Sequence, residues 1–387
     1  MRQKKRKHNR RRMRKGLIFF LLIIAVALLA CVFHVLKDKT EVLEVLKPKP
    51  KEYSLSVMAV GDALIHDGVY KDAYIGDDKY DFTKMFTYFE DIVPKYDLAF
   101  YNQETVIGGK ELGLSSYPCF NSPDEIANNL TDMGFNLVNL ASNHTMDKRV
   151  AGATHSADFW NQKKDVYSFG SYVSKEARDK VVIKEENNIT YSVLAYTYGT
   201  NGIRVPEGYE YLVNLYSDKQ AKKDIEKVRD KVDVLIVSMH WGTEYTNVPT
   251  AEQKRQAEYL SSLGVDVIIG THPHVVQPIT FIGKTLVIYS LGNFISAQDT
   301  DNKRTGLMAS FRINKKVDGD DTHISIDDAK GDLLWTYRSG FHDFKVIPFN
   351  KLNSNLLSNY EEVYNKYSKY VNLYDREDIK VGPLKEA

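Results

Sequence analysis

Two histidines, His272 and His274, stand on a turn that follows Gly270 and contains Pro273, where the apolar run 267–269 stops within VIIGTHPHVVQ. Two imidazoles in H-x-H spacing at the end of a buried strand read either as a metal pair or as ordinary histidines satisfied by backbone or water. The other strand ends decide between them. The run 55–60 breaks at Gly61 and presents Asp62, with His66 on the following loop. Run 98–101 ends in Asn102 and Glu104, and run 137–141 is followed by Ser142, Asn143, His144 and Asp147. Run 232–239 leads into His240, and run 285–289 into Asn293, which reads more naturally as a turn residue than as a ligand. Singly, Asp62 as a turn residue, Asn143 as a helix cap and His240 as a hydrogen-bonded core histidine are all ordinary. Together, histidines, carboxylates and amides recur at six strand ends, and in α/β sheets ligands bind beyond the carboxyl ends of the strands.

Such a donor set suits two-metal hydrolysis, in which paired divalent cations lower the pKa of water and polarise a phosphoryl or acyl oxygen. Carboxylate and amide oxygens suit harder cations, whereas imidazoles suit Mn, Fe or Zn, so the mixture argues against calcium alone. The cysteines add nothing to the set. Only Cys31 and Cys119 are present, which provides neither a disulfide framework nor a zinc-ribbon spacing.

The elements that must position these groups alternate. Ser122 and Pro123 supply an N-cap and a first-turn proline for a helix that runs through Met133 and stops at Gly134. Further helices are expected over 83–92, 150–163 and 217–231, the last an exposed amphipathic one, and Thr250 caps another that Gly264 ends. Segments 181–184 and 191–196 read as a strand pair. From Gly306 the pattern changes to short alternating runs, LMASFRI, HISIDDA, LLWTYRS and FKVIPF, which predict antiparallel strands. A surface helix is expected over 353–370 and a loose charged end after Asp375.

The 387 residues can bury a sizeable core, and 27% charged with 43% hydrophobic residues is ordinary for a globular protein. The charge is unevenly placed. Ten Lys and Arg precede Leu17 without an acid, so subtracting them from the formal net charge of +1 leaves about nine net negative charges on the rest. Residues 16–33, GLIFFLLIIAVALLACVF, carry no charge, and the apolar run continues to Leu36, long enough to span a bilayer core as a helix. The cationic arm before it places the N-terminus in the cytoplasm and the remainder outside. Beside such a span, the arm reads as topology signal and anionic-lipid contact, not as a nucleic-acid interface. Leu28 to Cys31, LLAC, resembles a lipobox, which makes a lipoprotein lipidated at Cys31 the minor alternative. The expected organisation is a basic cytoplasmic arm (1–15), a transmembrane anchor (16–36), an extended proline-punctuated linker (37–52), an extracytoplasmic domain (53–350) and a C-terminal helix and tail (351–387).

The motifs GDALIH, NQET, NLASNHTMD, HWGTEY, GTHPHVVQ and YSLGNF, in this order, resemble the CapA family of bacterial capsule and poly-γ-glutamate biosynthesis proteins over 56–295. That family resembles the calcineurin-like metallophosphoesterases, which implies an α/β fold, a four-layered α/β/β/α sandwich. The resemblance implies that Asp62, Asn143, His240, His272 and His274 hold two divalent metal ions and that His144 is poised at the leaving group as general acid. Two positions depart from the phosphoesterase pattern. Leu64 stands where a histidine follows the first aspartate, leaving His66 as its substitute; Asn102 and Glu104 replace the bridging aspartate, and Glu104 is the nearest equivalent. The resemblance implies work on an anionic capsule polymer beside membrane-bound synthesis and export proteins. Two classes of function stay open: a hydrolase cutting a phosphoester or a γ-amide, and a scaffold that binds polymer or partner. With a net negative exported part, holding a polyanion needs bound cations or local lysine patches.

Overall fold

The computed structural model of the chain describes residues 2–45 and 49–384. By its contacts it divides into two compact units, one holding Met1–Lys51 and Val317–Asp321 and the other the remainder.

The first unit is dominated by helix α1 (Arg2–Val45). Within Arg10–Lys37 an 18-residue window has a mean hydropathy of 3.2 and holds no buried residue, so the helix is long and apolar enough to cross a membrane. The expected extended linker is helical as far as Val45, because the apolar residues and charged helix formers of 37–45 continue the turn pattern; residues 46–48 lie outside those described.

The second unit begins with strand β1 (Lys51–Ala63), α2 (Asp67–Ala73) and the small hairpin β2 (Tyr74–Gly76) and β3 (Lys79–Tyr80). The helix expected over 83–92 is instead two separate 3₁₀ turns, Thr83–Met85 and Val93–Lys95. Its aromatics Phe82, Phe86 and Phe89 are all buried, and their packing overrides helical propensity. Next come β4 (Leu98–Asn102), α3 (Glu125–Asp132), β5 (Leu137–Asn139), α4 (Arg149–Gln162), β6 (Tyr167–Phe169) and α5 (Lys175–Asp179). The chain continues through β7 (Lys184–Glu186), β8 (Ile189–Thr197), α6 (Asp218–Val228), β9 (Val234–His240), α7 (Ala251–Ser262) and β10 (Val267–Thr271). A full capping box of Thr250 and Gln253 starts α7 as expected. Then follow β11 (Ile279–Ile282), β12 (Thr285–Ile288), β13 (Asn293–Ile295) and α8 (Asp301–Arg304). Last are β14 (Thr305–Asp318), β15 (Asp321–Ser339), β16 (His342–Pro348), α9 (Tyr360–Val371) and β17 (Lys380–Val381).

The helix expected over 353–370 starts only at Tyr360. The end after Asp375 is not loose: Ile379 is buried, β17 pairs with β15, and Gly382 N–H donates to the Gly331 carbonyl. Residues 385–387 lie outside those described.

One sheet runs β16-β15-β14-β1-β4-β5-β6, with β13 added at the end of β1; the other runs β11-β12-β10-β9-β8-β7. The centres are parallel, β1 with β4 and β5 in the first and β8, β9, β10 and β12 in the second. The expected antiparallel C-terminal strands appear as β15 and β16.

Alternation of side chains along each strand sorts the apolar residues into layers. Val57 and Ala59 of β1 meet Ile236 of β9 and Ile269 of β10 in the core between the sheets. On the opposite face of β1, Met58 and Val60 pack with Val69 of α2 and Leu130 of α3. Leu235 and Val237 of β9 pack outward on Ile225 of α6 and Leu260 of α7. The result is the α/β/β/α sandwich that the family resemblance implies, with parallel strands of both sheets ending around the same group of polar residues.

Candidate metal site

The strand registers bring the predicted residues together. Asp62 at the end of β1 lies opposite Asn102 of β4 on one side and Asn293 of β13 on the other, and Asn102 lies opposite Asn139 of β5. In the second sheet His240 lies opposite both Thr197 and Thr271. Glycines permit this close joining. A Cβ on Gly61 would stand 1.8 Å from the Gly292 carbonyl oxygen, to which Asp62 N–H donates, and one on Gly270 would stand 2.0 Å from the Tyr289 carbonyl oxygen. Beyond Thr271 the chain turns sharply, with φ of +95° at His272 and +58° at His274. Such left-handed conformations are costly for residues other than glycine and concentrate at functional sites.

Asp62 is fully buried and held by a relay of amides: Asn139 donates to Asn102 Oδ1 at 2.7 Å, and Asn102 donates to Asp62 Oδ1 at 2.7 Å. That leaves Asp62 Oδ2 facing His274 Nδ1 at 3.1 Å. Asn102 therefore orients a carboxylate. His240 is held by Thr271 Oγ1 at 2.9 Å from Nδ1, while its Nε2 stands 2.9 Å from Asn143 Oδ1. Glu104 sits between the two sheets' contributions, its Oε1 3.7 Å from His240 Nε2 and 3.6 Å from His274 Nε2.

These side chains form three overlapping trios with donor atoms close enough to share a cation: Asp62, Glu104 and His274; Glu104, His240 and His272; and Glu244, His272 and His274. The donors fit a cation on a second ground. Both carboxylate oxygens of Glu104 and Nδ1 of His272 are buried with no hydrogen-bond partner, a costly state for polar atoms unless something else satisfies them. Burial and the nearby Asp62 push the Glu104 carboxyl well above its usual range. Burial, reinforced by neighbouring imidazoles, pushes His240 and His272 well below the usual histidine value, so both stay neutral. Burial alone would also lower His274, but the Glu104 and Asp62 carboxylates outweigh it and hold that imidazole up at about 9.

His144 lies beside this group. Its Nδ1 is 2.7 Å from Asp147 Oδ2, its ring meets Phe120 edge-on at 4.7 Å, and Asn201 Nδ2 approaches Nδ1 at 3.4 Å. Asn201 also accepts from Asn143 Nδ2 at 3.1 Å, so it ties the adjacent pair together.

His66 joins none of the three trios. Its Nδ1 lies 3.1 Å from the Leu64 carbonyl, to which it donates in one tautomer, and 3.3 Å from the Ala297 N–H, from which it accepts in the other, and burial pulls its pKa down to about 4. The period-two alternation of an extended strand ends at Ala63, and the chain after it aims Leu64 into the interior and His66 against Phe120. Asn293, read from the sequence as a turn residue, opens β13, and its Oδ1 meets His274 Nδ1 at 3.0 Å.

Four contributors escaped sequence reasoning. Glu244 lies inside HWGTEY, and Asn139 and Thr271 lie inside the strand runs, where the motifs carried them unremarked. Asn201 follows β8 in YGTNG, a further polar strand end of the same kind as the six recognised ones.

A four-layered α/β/β/α sandwich with imidazole, carboxylate and amide donors gathered at its strand ends defines a layered α/β protein with a candidate metal site. The chain belongs to the family described as bacterial capsule synthesis protein PGA_cap, whose family model matches residues 56–298. It is similar to the PGA biosynthesis protein CapA of Bacillus subtilis (strain 168), 32% identical over 201 residues that cover 49% of this chain and 50% of that one. The capsule biosynthesis protein CapA of Bacillus anthracis is 26% identical over 195 residues, 49% of this chain and 47% of that one. The chain thus spans about half the length of the curated relatives it matches. Among solved structures, a candidate 5′-nucleotidase from Staphylococcus aureus in complex with α-ketoglutarate aligns with a TM-score of 0.46 and 12% identity, covering 81% of this chain and 58% of that one. The layered architecture rests on the sheets and cores described above and not on that likeness.

Proposed function

We propose that the protein is a membrane-anchored, extracytoplasmic component of capsule-polymer biosynthesis or export, for poly-γ-glutamate or a related polyanion, and that its strand-end site is a two-metal hydrolase centre. The observation that carries the proposal is the sharing of Glu104 between two ligand trios while both its oxygens lack any partner. Asp62, Glu104 and His274 would hold one divalent ion, and Glu104, His240 and His272 with the Asn143 amide oxygen the other, with Mn, Fe or Zn matching the donors. Bound there, such ions supply charge stabilisation and acidify water. The chain's own residues do the rest. Asn139 and Asn102 fix the Asp62 carboxylate, Thr271 fixes the His240 ring, and Asp147 engages His144 Nδ1 so that Nε2 is the nitrogen left to hold a proton for a leaving group. The anchor is α1, and the partners are membrane-bound proteins of polymer synthesis and export.

A second reading, a polymer- or partner-binding scaffold with a vestigial site, is favoured by one observation: Leu64 is a buried apolar side chain where the phosphoesterase pattern has a ligand, and His66 does not replace it. Elemental analysis of the purified protein, paired with assays on phosphodiester and γ-glutamyl substrates, separates the two. The enzyme reading expects bound transition metal and hydrolysis of one substrate class, both lost in Asp62→Ala and His272→Ala. Metal-free protein together with intact capsule formation in those variants establishes the scaffold.

A further inference from the structure

A second polar cavity, of about 450 Å³, opens at the edge of the sandwich and shares no residue with the strand-end site. It is lined by β6, the last strand of the first sheet, by β7 and β8 at the corresponding edge of the second, and by residues of α4, α5 and α6. The hydroxyl of Tyr167 joins the two edges by donating to the Val193 carbonyl at 3.2 Å.

The cavity is cationic. Arg178 and Lys227 pair with Asp224 and Asp179. Lys163, Lys164, Lys180 and Lys184 have no carboxylate within ion-pair distance among the described residues; Lys163 donates to the neutral groups of Asn128 and Thr131, Lys164 to the Asn161 carbonyl, and Lys184 lies over the Tyr167 ring. Lys163 spends its ammonium on Asn128 and Thr131 outside the lining, so in a unit whose remaining charge is net negative three cations without an ion-pair partner, Lys164, Lys180 and Lys184, give the cavity a local reversal of sign. The wall is also short of acceptors, since the indole N–H of Trp160 and the hydroxyl of Ser171 are buried there without a partner.

We propose that this edge cavity is a binding site for a chain bearing several carboxylates, gripped by Lys164, Lys180 and Lys184 apart from the metal-ligand cluster. Spread lysines on flexible stems suit a repeating anion whose charges can slide among them, because each is a point charge without fixed directional demand. The choice of polycarboxylate over other anions rests on the capsule-polymer reading; the cationic cavity does not. The test uses the full chain in detergent, titrated with fluorescently labelled γ-glutamate oligomers and with inorganic polyphosphate of matched length at low and moderate salt. Binding of the glutamate oligomers is expected to weaken about tenfold or more in the double variant Lys164→Glu/Lys180→Glu, both at exposed positions, and to show a shallower salt dependence. It is expected to persist unchanged in Asp62→Asn, so failure of the hydrolase reading leaves it standing. Equal affinity in the lysine variant, loss of binding in Asp62→Asn, or binding of polyphosphate alone overturns the proposal. An unchanged melting transition in the double variant confirms that affinity and not folding is being read.

Discussion

At the scale of single residues, Glu104 distinguishes the site from a collection of buried histidines. Its carboxylate is wholly enclosed, has no donor, and stands within 4 Å of His240 and His274. Glu104→Gln is therefore expected to weaken metal binding by more than the roughly 10- to 100-fold that loss of a supporting partner costs, as read by elemental analysis after dialysis. Proton release gives an independent check. His274 holds its proton up to about 9 in the folded protein, against 6.5 ordinarily, so its contribution to the stability of metal-free protein is full below 6.5 and lost as pH rises through about 9. A cation must displace that proton, whereas His240 and His272 are already neutral. Calorimetric titration with Mn²⁺ or Zn²⁺ in buffers of different ionisation heat is expected to show proton release near pH 7.5, from His274 and from the Glu104 carboxyl that burial holds high, with the His274 share falling away above pH 9. Residue types at the strand ends nominated Asp62, His66, Asn102, Glu104, Asn143, His144, His240, His272, His274 and Asn293, and the family resemblance narrowed them to Asp62, Glu104, Asn143, His240, His272 and His274 as ligands with His66 as a substitute. They could not show that Asn102 would serve Asp62 or that His66 would be tied to Leu64 and Ala297, because those outcomes depend on strand register and on where β1 stops twisting into the sheet.

At the scale of elements, the site depends on how tightly strand ends can approach. Gly270 is the plainest case: an added Cβ would strike the Tyr289 carbonyl oxygen at 2.0 Å and the Trp241 indole nitrogen at 2.6 Å, the two partners of a 2.9 Å hydrogen bond. Backbone cannot yield there without parting β10 from β12, so Gly270→Ala is expected to cost at least about 3 kcal/mol, the upper end of ordinary overpacking. Gly199, where an added methyl group would have no neighbour within 4 Å, is the control, and Gly199→Ala is expected to change stability by less than about 0.5 kcal/mol. Denaturant unfolding of both variants measures the difference. The strand runs were legible because buried parallel strands are continuous apolar stretches, α6 was legible from its amphipathic pattern and α7 from its Thr250 cap. Short pieces such as β6, β11 and β13 were not, since three or four residues carry too little pattern, and the aromatic segment after Phe82 was misread because its burial comes from packing with no helical period behind it.

At the scale of the whole chain, the four apolar cores are built from residues from Tyr53 onward. A chain beginning at Pro50 is accordingly expected to be soluble, to melt as full-length protein does in detergent, and to keep its metal content, as scanning calorimetry and elemental analysis would show. Topology has its own reporter in the two cysteines. Cys119 is exposed on the domain, whereas Cys31 lies within the apolar stretch of α1. If the cationic arm is held inside the cell, a membrane-impermeant maleimide added to intact cells is expected to label the wild-type protein and not Cys119→Ala, while Cys31 in hydrocarbon stays unreacted. Labelling only after lysis would reverse the topology. An intact mass that lacks the first 30 residues and carries acyl chains on Cys31 would replace the spanning anchor with a lipid one, leaving the domain outside by a different route. The charge distribution favours the spanning anchor: the apolar run continues past Cys31 to Leu36, where a lipid-modified N-terminus would have no need of further membrane-compatible sequence.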